Sequence, residues 1–195
     1  MLPLYPLQDV VLLPGERCSL SQGGRPLGGI VERARAFGGA VVASLADGES
    51  VHEIGVTAIV SSDAEGETAL FGVSRCRLLS LVSDEVAMVR AERFPERPTA
   101  EQRQATVARL LRTRYERLRL RLGRELTTVP SNDLTALTWK VTAELGLPAE
   151  QQQGFLNVPD PLTRGRLLLL ALRELERRER FLHPWAHLRT TTPWN

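Results

Sequence analysis

The sequence predicts an α+β fold: an N-terminal β barrel with one short helix, followed by a C-terminal four-helix bundle. Before Pro95, apolar runs alternate with turn sequences at roughly ten-residue spacing, which is typical of antiparallel strands in a small closed or half-closed barrel. After Pro98, apolar residues recur at three- and four-residue steps, the period of a helix. We therefore divide the chain into a barrel at residues 1–95, a helical bundle at residues 99–183 and a C-terminal tail at residues 184–195.

The opening string LPLYPLQDVVLLPG is predicted to form the first strands of the barrel. It is too short and too interrupted to cross a membrane, and no basic residue precedes it as in a signal peptide. Proline cannot donate to a strand ladder, so Pro3, Pro6 and Pro14 are expected to mark an exposed edge and its turns. Asp9 is expected to turn the chain between two apolar runs.

The remaining strands are predicted from four apolar segments that end at turn sequences. These segments are AVVASLA, VHEIGVTAIV, TALFGVSRCRLLSLV and VAMVRAERF, separated by DGES, SSDAEGE and SDE. One short helix is predicted in PLGGIVERARAFGG, where Pro26 suits the first turn and Gly38 suits the C-cap.

The first long helix is predicted to begin at Thr99, with Gln102 completing a capping box, and to end at Gly123. Its apolar stripe consists of Val107, Leu110, Leu111, Tyr115, Leu118 and Leu122.

Three further helices follow in the sequence. The second is expected to be capped by Ser131 or Asn132 and to end at Gly146, and a short third one has Pro148 in its first turn. The fourth is capped by Asp160, and its leucine run at residues 167–170 is expected to be buried.

Composition narrows the functional classes. The chain has 195 residues and a net charge of +2, so no overall charge draws it to nucleic acid or anionic lipid. Lys140 is the only lysine, which reflects either compositional bias or the use of arginine for bidentate contacts with carboxylate or phosphate. Cys18 and Cys76 match no metal-ligand spacing, and we expect them to be reduced thiols in a cytoplasmic protein.

No group of residues assembles a catalytic site in the sequence, and we predict no enzyme activity, no cofactor and no metal. His183 and His187 have a helical metal-ligand spacing, but Pro184 interrupts it and a third ligand is missing. Cys76 could meet His52 across strands, but it is expected in the core. A Ser–Lys dyad would have to use Lys140, whose side chain is expected to point into solvent.

RNA binding is the alternative that the residues leave open. The helix predicted at residues 101–122 is rich in arginine and offers an electrostatic footprint. Acidic neighbours offset this charge, and aromatic residues make up only 5% of the chain, so stacking platforms are not evident. A solvated helix face with ion pairs is the simpler interpretation.

A series of motifs resembles one known family, the N-terminal domain of Lon-type ATP-dependent proteases. LPLYPLQDVVLLPG resembles the start of that domain, and GIVERA, HEIGVTAIV, FGVSRCRLLSLV and VRAERFPE resemble its following elements in order. The segment from NDLTALTWKV to LREL is similar to its helical part. The resemblance spans residues 2–180 and implies a PUA-like pseudo-barrel followed by a helical bundle.

The resemblance also implies a function. The family's domain binds substrate polypeptides and helps to hold subunits together, so copies of this chain could associate. The chain ends before an ATPase or protease domain would begin, which implies a stand-alone, non-catalytic module. We expect it to bind unfolded or exposed apolar polypeptide segments, as an adaptor or holdase beside a partner protease.

The chain departs from the family pattern after the opening string, in CSLSQGGRPLGG. If this loop contacts substrates in relatives, its contacts differ here, or have been lost. The second binding surface that we consider is a groove between barrel and helices. The loop residues predicted to bind substrate are Gln22, Gly23, Gly24, Arg25 and Leu27.

Overall fold

The computed structural model describes residues 1–19, 28–62, 67–82, 86–123 and 133–182. Within these ranges it is an α+β protein, which confirms the predicted fold class. The strands are β1 (Leu2–Leu7), β2 (Arg17–Ser19), β3 (Ala40–Asp47), β4 (Ser50–Val51), β5 (Ile54–Ser62), β6 (Thr68–Val82) and β7 (Met88–Arg93). The helices are α1 (Gly28–Arg35), α2 (Glu101–Arg121), α3 (Leu134–Glu144), α4 (Ala149–Asn157) and α5 (Pro161–Leu182).

The sheet closes on itself through β1. The strand order is β1-β7-β6-β5-β3, and β1 also pairs with β3. The β1–β3 pair is parallel, with Leu4 opposite Val42, whereas the β1–β7 pair is antiparallel, with Leu2 opposite Val89. Parallel neighbours need a crossover connection, and α1 lies between β1 and β3 in the chain.

The prolines of β1 correct the prediction of an exposed edge strand, because β1 has a neighbour on both sides. The amide of Leu4 donates to the carbonyl of Ala87 on the β7 side. Alternate residues of a strand direct their backbone groups to the same side, so the backbone of Pro6 also faces the β7 side, at a position beyond the residues that pair with β7. Pro3 faces the β3 side, before pairing with β3 begins at Leu4. Each proline therefore occupies a position where one neighbour is missing, and no ladder bond is lost. Asp9 has a φ of 57°, consistent with the predicted turn.

The largest core belongs to both halves of the molecule. Trp139 of α3 and Leu156 of α4 lie in the same buried cluster as the barrel residues Tyr5, Val41 and Val56. A second cluster holds the helices together around Leu111, Leu137 and Leu168, and a third, smaller one lies on the other face of the sheet. The predicted boundary after residue 95 therefore separates two kinds of secondary structure, but the largest core extends across it.

The predicted N-cap is confirmed for α5, at Asp160, whereas the N-caps of α3 and α2 differ from the prediction. Asp160 accepts hydrogen bonds from the amides of Leu162 and Thr163, as predicted for the N-cap of α5. The N-cap of α3 is Asp133, whose side chain accepts hydrogen bonds from the amides of Thr135 and Ala136. The predicted caps Ser131 and Asn132 lie outside the described residues.

The predicted capping box of α2 is wrong, because Ala100 occupies the N-cap and makes no side-chain cap bond. The side-chain amide of Gln104 donates instead to the hydroxyl of Thr99, which lies one residue before the cap.

Two apolar stripes are less buried than predicted. Leu168 is fully buried, but Leu167 and Leu170 keep 40% and 57% of their surface exposed, so the leucine run is only partly a core segment. On α2, Leu110 and Leu122 are exposed as well. Pro26 and the tail at residues 184–195 lie outside the described residues.

Candidate functional site

Two buried arginines and one glutamate join the barrel to the helices. We call Arg75 of β6, Arg164 of α5 and Glu96 of the connecting segment the arginine clamp. The guanidinium of Arg164 donates to both carboxylate oxygens of Glu96, at 3.1 and 3.2 Å. Nη2 of Arg75 lies 3.0 Å from Oε2 of the same carboxylate. One carboxylate thus contacts cations from both halves of the molecule.

Backbone carbonyls and a hydroxyl satisfy the remaining donors of the clamp. Nη1 of Arg75 donates to the carbonyls of Leu156 and Val158, at 3.0 and 2.8 Å, at the C-terminal end of α4. Helix C-termini carry partial negative charge, so this position favours a cation. Nε of Arg164 donates to the hydroxyl of Thr138 at 2.9 Å.

Aromatic rings enclose the same charges. The Cζ of Arg164 lies 3.6 Å from the centroid of Trp139, and that of Arg75 lies 4.7 Å from the centroid of Phe94. Burial lowers the pKa of Arg75 to about 10, although Glu96 acts in the opposite direction. Burial also lowers the pKa of Arg164, again against the effect of Glu96. The clamp has no exposed reacting group, and its chemistry is that of a structural junction.

An exposed apolar strip lies at the far end of β6. Pairing between β5 and β6 ends at Ile54 and Arg77, whereas β6 continues alongside β7 as far as Val82. In the described part of the chain, the stretch beyond Leu78 therefore has a ladder partner on one side only. Three side chains of this stretch are about half exposed, and we call them the β6 edge surface: Leu79, Leu81 and Val82, at 49%, 54% and 49%.

A second apolar area lies near the other end of β6. Ile59 and Phe71 are paired across β5 and β6, and each is 46% exposed. Val73 lies at the irregularity between these strands and is 50% exposed. Here β6 is paired with β5, and at Phe71 with Arg17 of β2 as well, so the backbone is occupied on both sides at that residue.

The predicted substrate-binding residues Gln22, Gly23, Gly24, Arg25 and Leu27 lie outside the described residues. Their contribution to binding stays a prediction.

The residues considered for catalysis are placed in ordinary structural roles. Cys76 is buried in the third core cluster, and burial raises the pKa of its thiol to about 12. Nε2 of His52 lies 3.7 Å from a carboxylate oxygen of Glu150. Lys140 does not extend freely into solvent as expected, because it pairs with Glu144 at 3.1 Å and with Glu16 at 3.8 Å.

No metal site is formed by the part of the chain that the structure describes, since no three His, Cys, Asp or Glu side chains converge there. His183 and His187 lie outside that part. Among the described helices, none is long and apolar enough to span a membrane.

The arginine-rich helix α2 uses part of its charge within the protein. Arg114 pairs with Glu176 of α5 at 3.6 Å, and Arg119 pairs with Glu144 of α3. Arg119 also donates to the hydroxyl of Tyr115. These contacts support the interpretation of α2 as a helix face with ion pairs.

Sequence reasoning missed the arginine clamp entirely. Arg75 lies within a predicted strand and Arg164 within a predicted helix, and no motif marks either residue. The alternation in β6 gives no signal for it either, because Arg75 is adjacent to the predicted core residue Cys76 and would face the other side of the strand.

Comparison with known proteins now gives the family. The model of the ATP-dependent protease La (LON) substrate-binding domain matches residues 1–174. A comparison with curated proteins finds no match.

Two solved structures share the fold. The N-terminal domain of the Mycobacterium avium complex Lon protease has a TM-score of 0.71 and 21% identity, covering 88% of this chain and 97% of that one. A Lon N-terminal domain protein from Xanthomonas campestris has a TM-score of 0.60 and 22% identity, and the match covers 87% of this chain and 96% of that one. With the family model matching most of its length, the chain belongs to the family of Lon substrate-binding domains.

Proposed function

We propose that this protein is a non-catalytic module that binds unfolded or exposed apolar polypeptide segments, and that the β6 edge surface is where they bind. Membership of the substrate-binding family supports the class of ligand. The single observation that carries the location is a stretch of β6 that, among the described residues, has a ladder partner on one side only and that carries three half-exposed aliphatic side chains.

Strand addition explains how such a surface would work. An extended segment that lies against β6 beyond Leu78 gains main-chain hydrogen bonds, which do not depend on its sequence. Its apolar side chains can bury surface against Leu81 and Val82, at about 25 cal/mol per Å². Binding of this kind is weak and accepts many sequences, which suits a module that recognises exposed apolar segments of many proteins.

A role as an adaptor or holdase follows from the same chemistry. A bound segment is removed from the pool that aggregates, and it is available for transfer to a partner protease. RNA binding is less favoured, because Arg114 and Arg119 of α2 are engaged in ion pairs.

The test compares two pairs of apolar-to-serine changes. Leu81→Ser with Val82→Ser changes the β6 edge surface, and Ile59→Ser with Phe71→Ser removes apolar side chains of similar exposure elsewhere. The ligand is a reduced and alkylated protein that cannot refold, and the readout is its affinity together with the rate at which a heated client aggregates.

We expect the first pair to weaken binding by about tenfold, which corresponds to about 1.4 kcal/mol, and to abolish protection against aggregation. The variant with Ile59→Ser and Phe71→Ser should bind the alkylated protein with the affinity of the wild type. Equal loss in both pairs would place binding elsewhere, and no binding by the wild-type protein would refute the function. Binding of RNA that weakens steeply with salt, without binding of polypeptide, would favour the alternative.

A further inference from the structure

A groove lies between the first turns of α2 and α5, away from the β6 edge surface. Its volume is about 310 Å³, at the lower end of the range for small-ligand sites. Two apolar side chains, Val107 and Leu162, are 8% and 7% exposed and contribute to its lining. We call this the α2–α5 groove, and its lining residues are Gln102, Arg103, Thr106, Val107, Leu162 and Arg166.

The two arginines of the groove differ from those of the clamp. Arg103 and Arg166 are exposed, and within the described residues neither guanidinium has an acidic partner. Asp160, the acidic residue at the start of α5, already accepts the amides of Leu162 and Thr163. Two exposed cations next to an apolar lining are complementary to a ligand that carries a carboxylate and an apolar group close together.

The direction of the helices adds to this charge. Val107 of α2 faces Gly165 of α5, and Arg114 pairs with Glu176 further along both helices. The two helices therefore run in the same direction, and both N-termini lie at the groove. Helix N-termini carry partial positive charge, so this end of the bundle favours an anion. Glu101, in the first turn of α2, offsets part of that charge.

We propose that the α2–α5 groove binds the C-terminal residue of a polypeptide whose last side chain is apolar. The α-carboxylate pairs with Arg103 and Arg166, and the side chain rests on Val107 and Leu162. A terminal apolar residue is the simplest polypeptide group that carries both features on one Cα. This inference rests on the proposed function and adds a second, end-specific contact to it.

The experiment uses the whole chain and a short fluorescent peptide of glycine and serine that ends in Val-Leu. One form has a free C-terminal carboxylate and the other a C-terminal amide. A third form is amidated but has aspartate before the last leucine, and it separates an internal carboxylate from a terminal one. We expect the free acid to bind at least about tenfold more tightly than either amidated form, as for hydrogen bonds to a charged group.

Two double variants locate the effect. Arg103→Gln with Arg166→Gln should reduce the affinity for the free acid to that for the amide. Arg109→Gln with Arg117→Gln removes the same charge from exposed positions of α2 and should leave the difference intact. Thermal unfolding of each variant checks that the fold is retained.

Equal affinity for the free acid and the amide overturns the proposal, and so does equal binding of the free acid and the internal aspartate form. An effect of the control variant as large as that of Arg103→Gln with Arg166→Gln overturns the location. Binding of the alkylated protein through Leu81 and Val82 is measured separately, so failure of the groove is distinguishable from failure of the proposed function.

Discussion

Arg164 lies over the ring of Trp139, with 3.6 Å between its Cζ and the ring centroid, and none of its side-chain surface is exposed. The tryptophan belongs to the core that the barrel and the helices share, and the arginine belongs to the clamp. This contact therefore links the apolar and the charged parts of the same junction.

Replacing Arg164 should strongly destabilise the protein. Arg164→Met keeps most of the side-chain length, but the carboxylate of Glu96 loses one of its two cations. The hydroxyl of Thr138 also loses the hydrogen bond that it accepts from Nε of Arg164. Breaking a buried ion pair by removing one partner costs about 3–5 kcal/mol. Urea unfolding should show this loss, whereas Arg177→Met, at a side chain that is 79% exposed, should change stability by less than about 0.5 kcal/mol. A loss of less than about 1 kcal/mol in Arg164→Met would contradict the clamp.

Two glycines should respond in opposite directions to alanine. A Cβ at Gly72 would collide with the backbone carbonyl of Leu13, which cannot move away as a side-chain end could. Gly72→Ala should therefore cost about 1–3 kcal/mol. A Cβ at Gly154, on the exposed side of α4, meets nothing within 4 Å, and Gly154→Ala should stabilise the helix by up to about 1 kcal/mol. Thermal unfolding of both variants measures the difference. A Gly72→Ala protein as stable as the wild type would refute the close approach of the Leu13 backbone to β6.

Asp160 should make stability depend on acid. Burial acts to raise its pKa, but hydrogen bonds from Thr163 and Leu162 and the charge of Arg164 outweigh it, so the pKa lies below the ordinary value of 3.8. A carboxyl whose folded pKa is lowered stabilises the protein above 3.8 and loses that contribution as pH falls through the folded pKa. Asp160→Ala should cost about 1 kcal/mol at neutral pH. Asp160→Asn should keep most of the cap while removing this acid dependence, and an unchanged acid dependence would assign it to another group.

The two cysteines should be inert in the folded protein. Both thiols are buried, and burial raises the pKa of Cys18 and that of Cys76, the latter to about 12. Because the thiolate is the reacting form, a coloured thiol reagent should label neither residue until the chain unfolds. Labelling rates measured across a urea series should follow the unfolded fraction. Rapid labelling of the native protein at either site would show that its burial is incomplete.

The order and the type of the elements could be predicted because local chemistry determines them. Turn sequences such as DGES separate β3 from the next strands, and Asp160 followed by Pro161 begins α5 in the structure as in the prediction. The capping box at Thr99 could not be judged locally, because a second glutamine, Gln104, lies close enough in the sequence to donate to the hydroxyl of Thr99 in place of Gln102.

The junction could not be predicted, because its partners are remote in sequence. Arg75 donates to Val158, which lies 83 residues away, and Arg164 pairs with Glu96, which lies 68 residues away. No local pattern distinguishes such an arginine from a solvated one. The β6 edge surface was missed for a related reason: strand pairing determines which residues are left without a neighbour, and pairing is not visible in one strand. The proposed loop residues, among them Arg25 and Leu27, remain a prediction.

The shared core around Trp139 and Leu156 limits how the molecule can respond to a ligand. If the barrel and the helices had separate cores, a hinge between them could open or close on binding. In this protein, a hinge motion would have to separate Trp139 and Leu156 from the barrel residues that they pack against, and it would also have to break the ion pairs of the arginine clamp. We expect the relative orientation of barrel and helices to be unchanged when a ligand binds. Signals between the two proposed binding surfaces would then travel as small shifts in packing, not as rotation of one half against the other.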